Sequence, residues 1–205
     1  MKLFITGIGT NVGKTIASAI ITQALEADYW KPIQAGEVDF SDKHKVQCLL
    51  ENKKSKIWDN SFVLQTPASP HYAAAIDGIT IELAQIKEPI TKNHLVIEGA
   101  GGILVPLNET KTIIDIIQPD YQVVVVSRHY LGSINHTLLT IQALRARNLK
   151  IAGLVFSGDE NPATESIILS TTGLKMLGRI EEEPYFDANV ISYYAEKFKS
   201  KLTEL

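Results

Sequence analysis

Short apolar, β-branched runs alternate along the chain with stretches whose apolar residues recur every three or four positions. Consecutive apolar positions suit parallel strands buried on both faces, and the longer period suits helices laid over them. The pattern predicts strands at Leu3 to Thr6, Tyr29 to Ile33, Leu95 to Glu98, Gln122 to Ser127 and Ile151 to Phe156, with a weaker one at Met176 to Ile180. Helices are predicted over Lys14 to Ala27, Ser41 to Leu50, Ile81 to Glu88, Ile134 to Arg147, Thr164 to Thr171 and Ala188 to Lys201. This alternation implies a single α/β domain over residues 1–205, a doubly wound, mainly parallel sheet flanked by helices. Ligands are then expected at the carboxyl ends of the strands. No internal repeat or low-complexity tract breaks the pattern, and the lysine-rich stretch from Glu51 to Asn60 is one loop's worth of sequence.

Composition narrows the function classes. The 205 residues suffice for one α/β core, and 45% hydrophobic with 21% charged is ordinary for a globular chain. A net charge of -3 offers no basic field for nucleic acid and no polybasic run for an anionic membrane. The lone Cys48 excludes an intrachain disulfide and reads as a small core residue, in keeping with a cytoplasmic location. The apolar start Leu3 to Thr6 is too short for the core of a signal peptide, and no run is long enough to span a membrane.

The first strand runs into Gly7-Ile8-Gly9-Thr10-Asn11-Val12-Gly13-Lys14-Thr15. A glycine-rich turn lets backbone N–H groups curl round an anion, and the following helix aims its free N–H groups and positive dipole end at the same point. Lys14 would reach the outer phosphates of a nucleotide and the Thr15 hydroxyl would ligate Mg²⁺. Read strictly, the P-loop spacing fails, because five residues rather than four separate Gly7 from Gly13. The plainer alternative is a strand-turn-helix with a stray Gly-Lys-Thr; its place after the first strand, opening an amphipathic helix, favours phosphate binding.

Two further signals lie at strand ends. Lys31 precedes Pro32 at the end of the second predicted strand, either facing the same phosphates or standing as a surface lysine before a turn. Glu98 ends a fully apolar strand and is followed by Gly99-Ala100-Gly101-Gly102; an unpaired carboxylate there is costly, so a metal or a phosphate-bound cation is its natural partner. Asp42 alone reads as a helix-capping acid, with Ser41 as rival for the cap. Together Thr15, Asp42 and Glu98 form an all-oxygen set suited to Mg²⁺, and no His or Cys cluster suggests zinc.

These residues resemble the dethiobiotin synthetase family, whose fold is of the P-loop NTPase kind. The resemblance runs through Gly-x-Gly-Thr-Asn-Val-Gly-Lys-Thr at 7–15, Lys-Pro-Ile-Gln-Ala-Gly at 31–36 and Ser-Asp at 41–42. It continues through Ser-Pro-His at 69–71, Glu-Gly-Ala-Gly-Gly at 98–102 and Leu-Gly-Ser-Ile-Asn-His at 131–136. The irregular glycine spacing is the family's own. The resemblance implies an ATP-dependent ligase of biotin biosynthesis that converts 7,8-diaminononanoate and CO₂ to dethiobiotin, with ADP and phosphate as by-products. It implies catalytic roles for Lys14 and Lys31, which would flank a carbamate and the transferring phosphate. It places the nucleotide at Thr10, Asn11, Val12, Gly13, Lys14, Thr15 and Ile16, at Asp42 and Glu98, at Gly99, Ala100 and Gly101, and at Ser157. Substrate contacts are implied at Ala35 and, across a two-fold interface, at Gly132, Ser133 and Asn135 of the neighbouring subunit, so a homodimer is expected.

The chain departs from the family at three positions. Asn11 stands where an acid is frequent, Ala35 where Ser or Thr is usual, and Ser157 where an asparagine commonly reads adenine. The link from Ala24 to Lys31 is also short for the family, so the second strand is expected to start abruptly. Two other readings remain. A partition-type or septum-positioning ATPase would carry a second lysine early in the glycine loop, where this chain has Gly9, and a basic C-terminal helix; Glu196 and Glu204 dilute Lys197, Lys199 and Lys201, so that segment reads as a solvated docking helix. A nucleotide binder without turnover is the other, motivated by Ala35 and Asn11. His71 reads as structural at a helix start after Pro70, and His136 as a helix-start hydrogen bond or a ligand contact; neither has the partners a hydrolase needs.

Overall fold

The computed structural model describes all residues 1–205. Strands β1 (Lys2–Gly7), β2 (Asp28–Trp30), β5 (Leu95–Gly102), β6 (Gln122–Arg128), β7 (Lys150–Ser157) and β8 (Met176–Ile180) form one sheet in the order β2-β5-β1-β6-β7-β8. Every pairing in it is parallel, as the continuously apolar runs require. A second, two-stranded parallel sheet joins β3 (Ile33–Ala35) to β4 (Phe62–Leu64).

The helices are α1 (Lys14–Leu25), α2 (Asp42–Leu49), α3 (Pro70–Asp77), α4 (Ser133–Ala146), α5 (Pro162–Thr172) and α6 (Ala188–Thr203). From β1 the chain crosses one way through α1 to β2, and from β6 the other way through α4 to β7. With right-handed crossovers these helices fall on opposite faces, α1 packed against α6 and α2, and α4 against α5. The winding reverses at β1, so a crevice opens beyond the carboxyl ends of β1 and its neighbours β5 and β6. Helix α6 docks through Ile191, Tyr194, Ala195, Phe198 and Leu202, spaced three and four apart, as a docking helix should.

The structure departs from the sequence expectations at particular points. The strand expected over Tyr29 to Ile33 breaks at Lys31-Pro32, where Pro32 has no N–H to give a ladder, and the chain passes from the large sheet to the small one. That break turns Lys31 out of the ladder and towards the crevice; its carbonyl is held instead by the Asn60 side chain at 2.7 Å. The helix expected over Ile81 to Glu88 is only a short 3₁₀ turn, Leu83–Gln85. Ile81 alone of its apolar positions is buried, and Pro89 disfavours helical backbone at Glu88. Cys48 is exposed rather than in the core, because α2 buries only Val46. Strand β4 has no counterpart among the expected strands; three residues are too short to show a period.

Candidate functional site

The glycine loop turns at Gly13, whose φ of 94° is open to glycine without strain and which caps α1. That conformation starts α1 at Lys14 and leaves its first N–H groups facing the crevice. The loop forms one wall of a cleft of about 720 Å³. Thr10, Asn11, Val12, Gly13, Lys14, Thr15 and Ile16 line it, together with Lys31, Ala35, Asp42, Glu98, Ala100 and Gly101. The structure thus gathers four separate sequence segments at one place. Gly99 lies just behind the wall, packed on the ring of Phe4. Ser157 ends β7 beyond the cleft lining and abuts the loop: a Cβ built on Gly13 would lie 3.0 Å from its Oγ. Gly132, Ser133 and Asn135 are not part of this chain's cleft lining; they open α4 beyond the end of β6.

The floor of the cleft is a charge cluster. The Lys31 ammonium donates to Glu98 Oε1 at 3.0 Å and to Asp42 Oδ2, and so lies between the two carboxylates. Glu98, 1% exposed, also accepts from the Thr15 hydroxyl at 3.0 Å and from the Tyr29 hydroxyl at 2.8 Å. Asp42 sits in the first turn of α2, with Ser41 at the cap, so the rival for that position is the one that holds it. Lys45, one turn on, reaches both Asp42 Oδ1 at 3.3 Å and Glu37 on the cleft rim. Lys14 donates to the Gly9 carbonyl at 2.8 Å and has no carboxylate partner.

The two lysines therefore differ in electrostatics. Burial pushes Lys14 down to about 8, helped by the like charge of Lys31, and the more distant Glu98 and Asp42 only partly oppose it. Burial would also push Lys31 down, but the adjoining Glu98 and Asp42 carboxylates outweigh it and hold its pKa above the usual lysine value. Burial would raise the Asp42 pKa, yet Lys31 and Lys45 hold it below the usual carboxylate range. Burial, reinforced by Glu98, keeps the Tyr29 hydroxyl protonated far beyond neutral pH, so it can act only as a donor to that carboxylate.

The sequence reading missed Tyr29, Lys45, Glu37 and Gln34. The i, i+3 spacing of Asp42 and Lys45 was the one signal available; Tyr29 and Gln34 are identified by a tertiary contact and a cleft wall alone. Arg128 is committed to the Asn11 carbonyl at 3.3 Å and to Glu182 at 2.9 Å. His71 meets the capping Ser69 hydroxyl at 3.2 Å at the start of α3, and His136 meets the Tyr130 hydroxyl at 2.7 Å. No helix is long and apolar enough to cross a membrane. Chemically, the cleft can bind polyphosphate and oppose negative charge with two ammonium groups, and no nucleophile-base pair stands within it.

Comparison with known proteins places this site in a family. The model of a family described as "AAA domain" matches residues 1–190. Among solved structures, the septum site-determining protein MinD of Pyrococcus horikoshii, complexed with Mg-ADP, superposes with a TM-score of 0.63 over 100% of this chain and 95% of its own, at 14% identity. The cell division ATPase MinD of Pyrococcus furiosus gives 0.63, covering 97% of this chain and 98% of its own, at 14% identity. At that identity the likeness concerns the fold alone. The ATP-dependent dethiobiotin synthetase BioD of Cytophaga hutchinsonii is 48% identical over 96% of each chain. The enzyme of the same name from Christiangramia forsetii is 57% identical over 98% of each. Similarity of that extent runs through the glycine loop, the broken second strand and the Glu98 strand alike: the chain belongs to the dethiobiotin synthetase family.

Proposed function

We propose that the chain catalyses the ATP-dependent closure of 7,8-diaminononanoate and CO₂ to dethiobiotin, the reaction of biotin biosynthesis carried by its family. One observation supports this reading above the others: Lys14 and Lys31 converge on a single phosphate cleft in which every carboxylate already has a cationic partner. That arrangement suits a reaction whose charge migrates between oxygens, and it needs no protein nucleophile.

In the first step one substrate amine attacks CO₂, forming an N–C bond and releasing a proton to give a carbamate. The carbamate oxygen attacks the γ-phosphorus and ADP leaves. The second amine then attacks the carbonyl carbon, closes the five-membered urea ring, expels phosphate and loses a proton. Lys14, beside the loop amides, would hold the phosphate oxygens, and Lys31 the carbamate. Held above its ordinary pKa, Lys31 stays charged and stabilises rather than exchanges protons.

The donor set fits a divalent cation. Two carboxylates, bridged by the Lys31 ammonium, and the Thr15 hydroxyl on Glu98 put hard oxygen ligands together at one end of the cleft. Thr15, Asp42 and Glu98 would hold Mg²⁺, which when bound neutralises the phosphates. Ser157 would face the base side. No arginine lines the cleft to clamp the far carboxylate of the substrate. The N–H groups of Ile134 and Asn135 at the start of α4 donate to no backbone carbonyl, and exposed Tyr130 and Leu131 precede them. A homodimer in which Gly132 and Asn135 complete the partner's site, with the buried Ser133 holding the turn through its N–H to the Tyr130 carbonyl, accounts for both features.

The test is product formation. The purified chain with diaminononanoate, bicarbonate, ATP and Mg²⁺ should yield dethiobiotin with one ADP per ring and none after chelation of metal. ATP hydrolysis stimulated by DNA or vesicles, without ring formation, would instead identify a switch ATPase.

A further inference from the structure

The cleft contains one polar group that the reaction as described leaves unused. Gln34 lies in β3, is 3% exposed, and lines the cleft beside Ala35. Its amide nitrogen donates to the Gly36 carbonyl at 3.0 Å, which fixes which end of the amide is which. Its Oε1 is covered and has no hydrogen-bond partner. A buried acceptor left unpaired costs about 1–3 kcal/mol, so its persistence in a site wall calls for a donor that arrives from outside.

The neighbouring groups decide which donor. Lys14, Lys31, Lys45 and the loop amides are all donors, suited to phosphate and carbamate oxygens. The acceptors Glu98, Asp42 and Glu37 already take Thr15, Tyr29, Lys31 and Lys45. Ala35 offers no side-chain hydrogen bond at all. Among the reacting groups, CO₂ and the phosphates bring acceptors only, and the two amines alone bring N–H.

We infer that Gln34 is a substrate-specificity residue whose Oε1 accepts an N–H from one amine of the diamine, holding it beside the carbamate position. The inference rests on the dethiobiotin-forming reading of the cleft. A turn of the amide about its last side-chain bond, the softest in a glutamine, would exchange its bond to the Gly36 carbonyl for one with the arriving amine. The neutral amide selects for N–H without adding a charge to a cluster that is already balanced.

The test separates this role from a structural one and from the underlying reading. Wild-type dethiobiotin formation is measured first; its absence sinks the reaction, whatever Gln34 does. With product forming, Gln34→Met, which keeps length and removes the amide, should raise the KM for the diamine about tenfold, the value of one ordinary hydrogen bond at ~1.4 kcal/mol. The KM for ATP and the unliganded Tm should stay as they were. In the unaltered chain, the Gln34 side-chain carbonyl ¹³C resonance should move on adding diamine alone and not on adding ATP alone. An unchanged diamine KM in Gln34→Met, a joint rise in both KM values with a fall in Tm, or a resonance indifferent to diamine would overturn the assignment.

Discussion

The phosphate end of the cleft and the start of α4 are both built from a glycine with positive φ and a helix N-terminus, yet they end up in opposite states. At the phosphate end, Gly13 with φ 94° opens α1, and the buried Lys31, Glu98 and Tyr29 with the half-buried Asp42 close in around it. At the other, Gly132 with φ 102° opens α4, and only the side chain of His136 comes within 4 Å of the space where a Cβ would stand. Ser133 is buried there, but Leu131, Gly132 and Asn135 are exposed. The same local device is therefore a finished anion site in one place and a bare surface in the other. What differs is the tertiary surroundings: strand ends β1, β2 and β5 converge on the first, and nothing of this chain covers the second.

The largest expected effect lies at Lys31. Replacing it with Ala should cut turnover by about 10²–10³-fold, as loss of one group opposing developing charge does elsewhere. The variant should also lose stability, on the order of 3–5 kcal/mol, because Glu98 is left buried without its cation while the half-buried Asp42 keeps only Lys45. Of the two readings that sequence position left open, the surface lysine before a turn fails on its burial. Urea unfolding at pH 7 measures the cost. Near-normal turnover with unchanged stability would make the cluster ornamental.

The next effect sharpens the contrast from the other side. Gly132→Leu should lower activity by tens-fold through substrate affinity, while ATP binding to the intact loop stays normal. Mixing it with a Lys14→Ala chain should restore activity in a fraction of heterodimers, since one composite site would be whole. No rescue in demonstrated heterodimers, or full activity from a monomer in sedimentation, would leave the start of α4 without a role in catalysis.

The smallest effect concerns protons. Free Lys14 titrates near 8, and bound polyphosphate favours its charged form. Below pH 8 the group is already protonated, so affinity for ATP should be level there. Above it, binding must take up a proton, so affinity should fall by up to tenfold per pH unit until the raised pKa of the complex is passed. Calorimetry in buffers of different ionisation enthalpy reads that uptake directly. Lys31, held charged by its two carboxylates, adds nothing to the slope, and Lys14→Gln should flatten it.

How much of this was legible beforehand follows one physical line. The apolar runs dictated parallel strands, and the glycines with Lys14 and Thr15 dictated an anion-binding turn, because both are statements about neighbouring residues and backbone freedom. The strand ends and their candidate chemistry, Lys31 and Glu98, could be read for the same reason, as could α6 from its spacing. The sequence could not tell that Glu98 has three partners within the chain, for Thr15, Tyr29 and Lys31 are 83, 69 and 67 residues away. Nor could it show that Pro32 moves Lys31 out of one sheet, or that Cys48 faces water. Pairings across such separations are selected by how the strands order themselves, and the crevice where they meet exists only once β5 has inserted between β1 and β2.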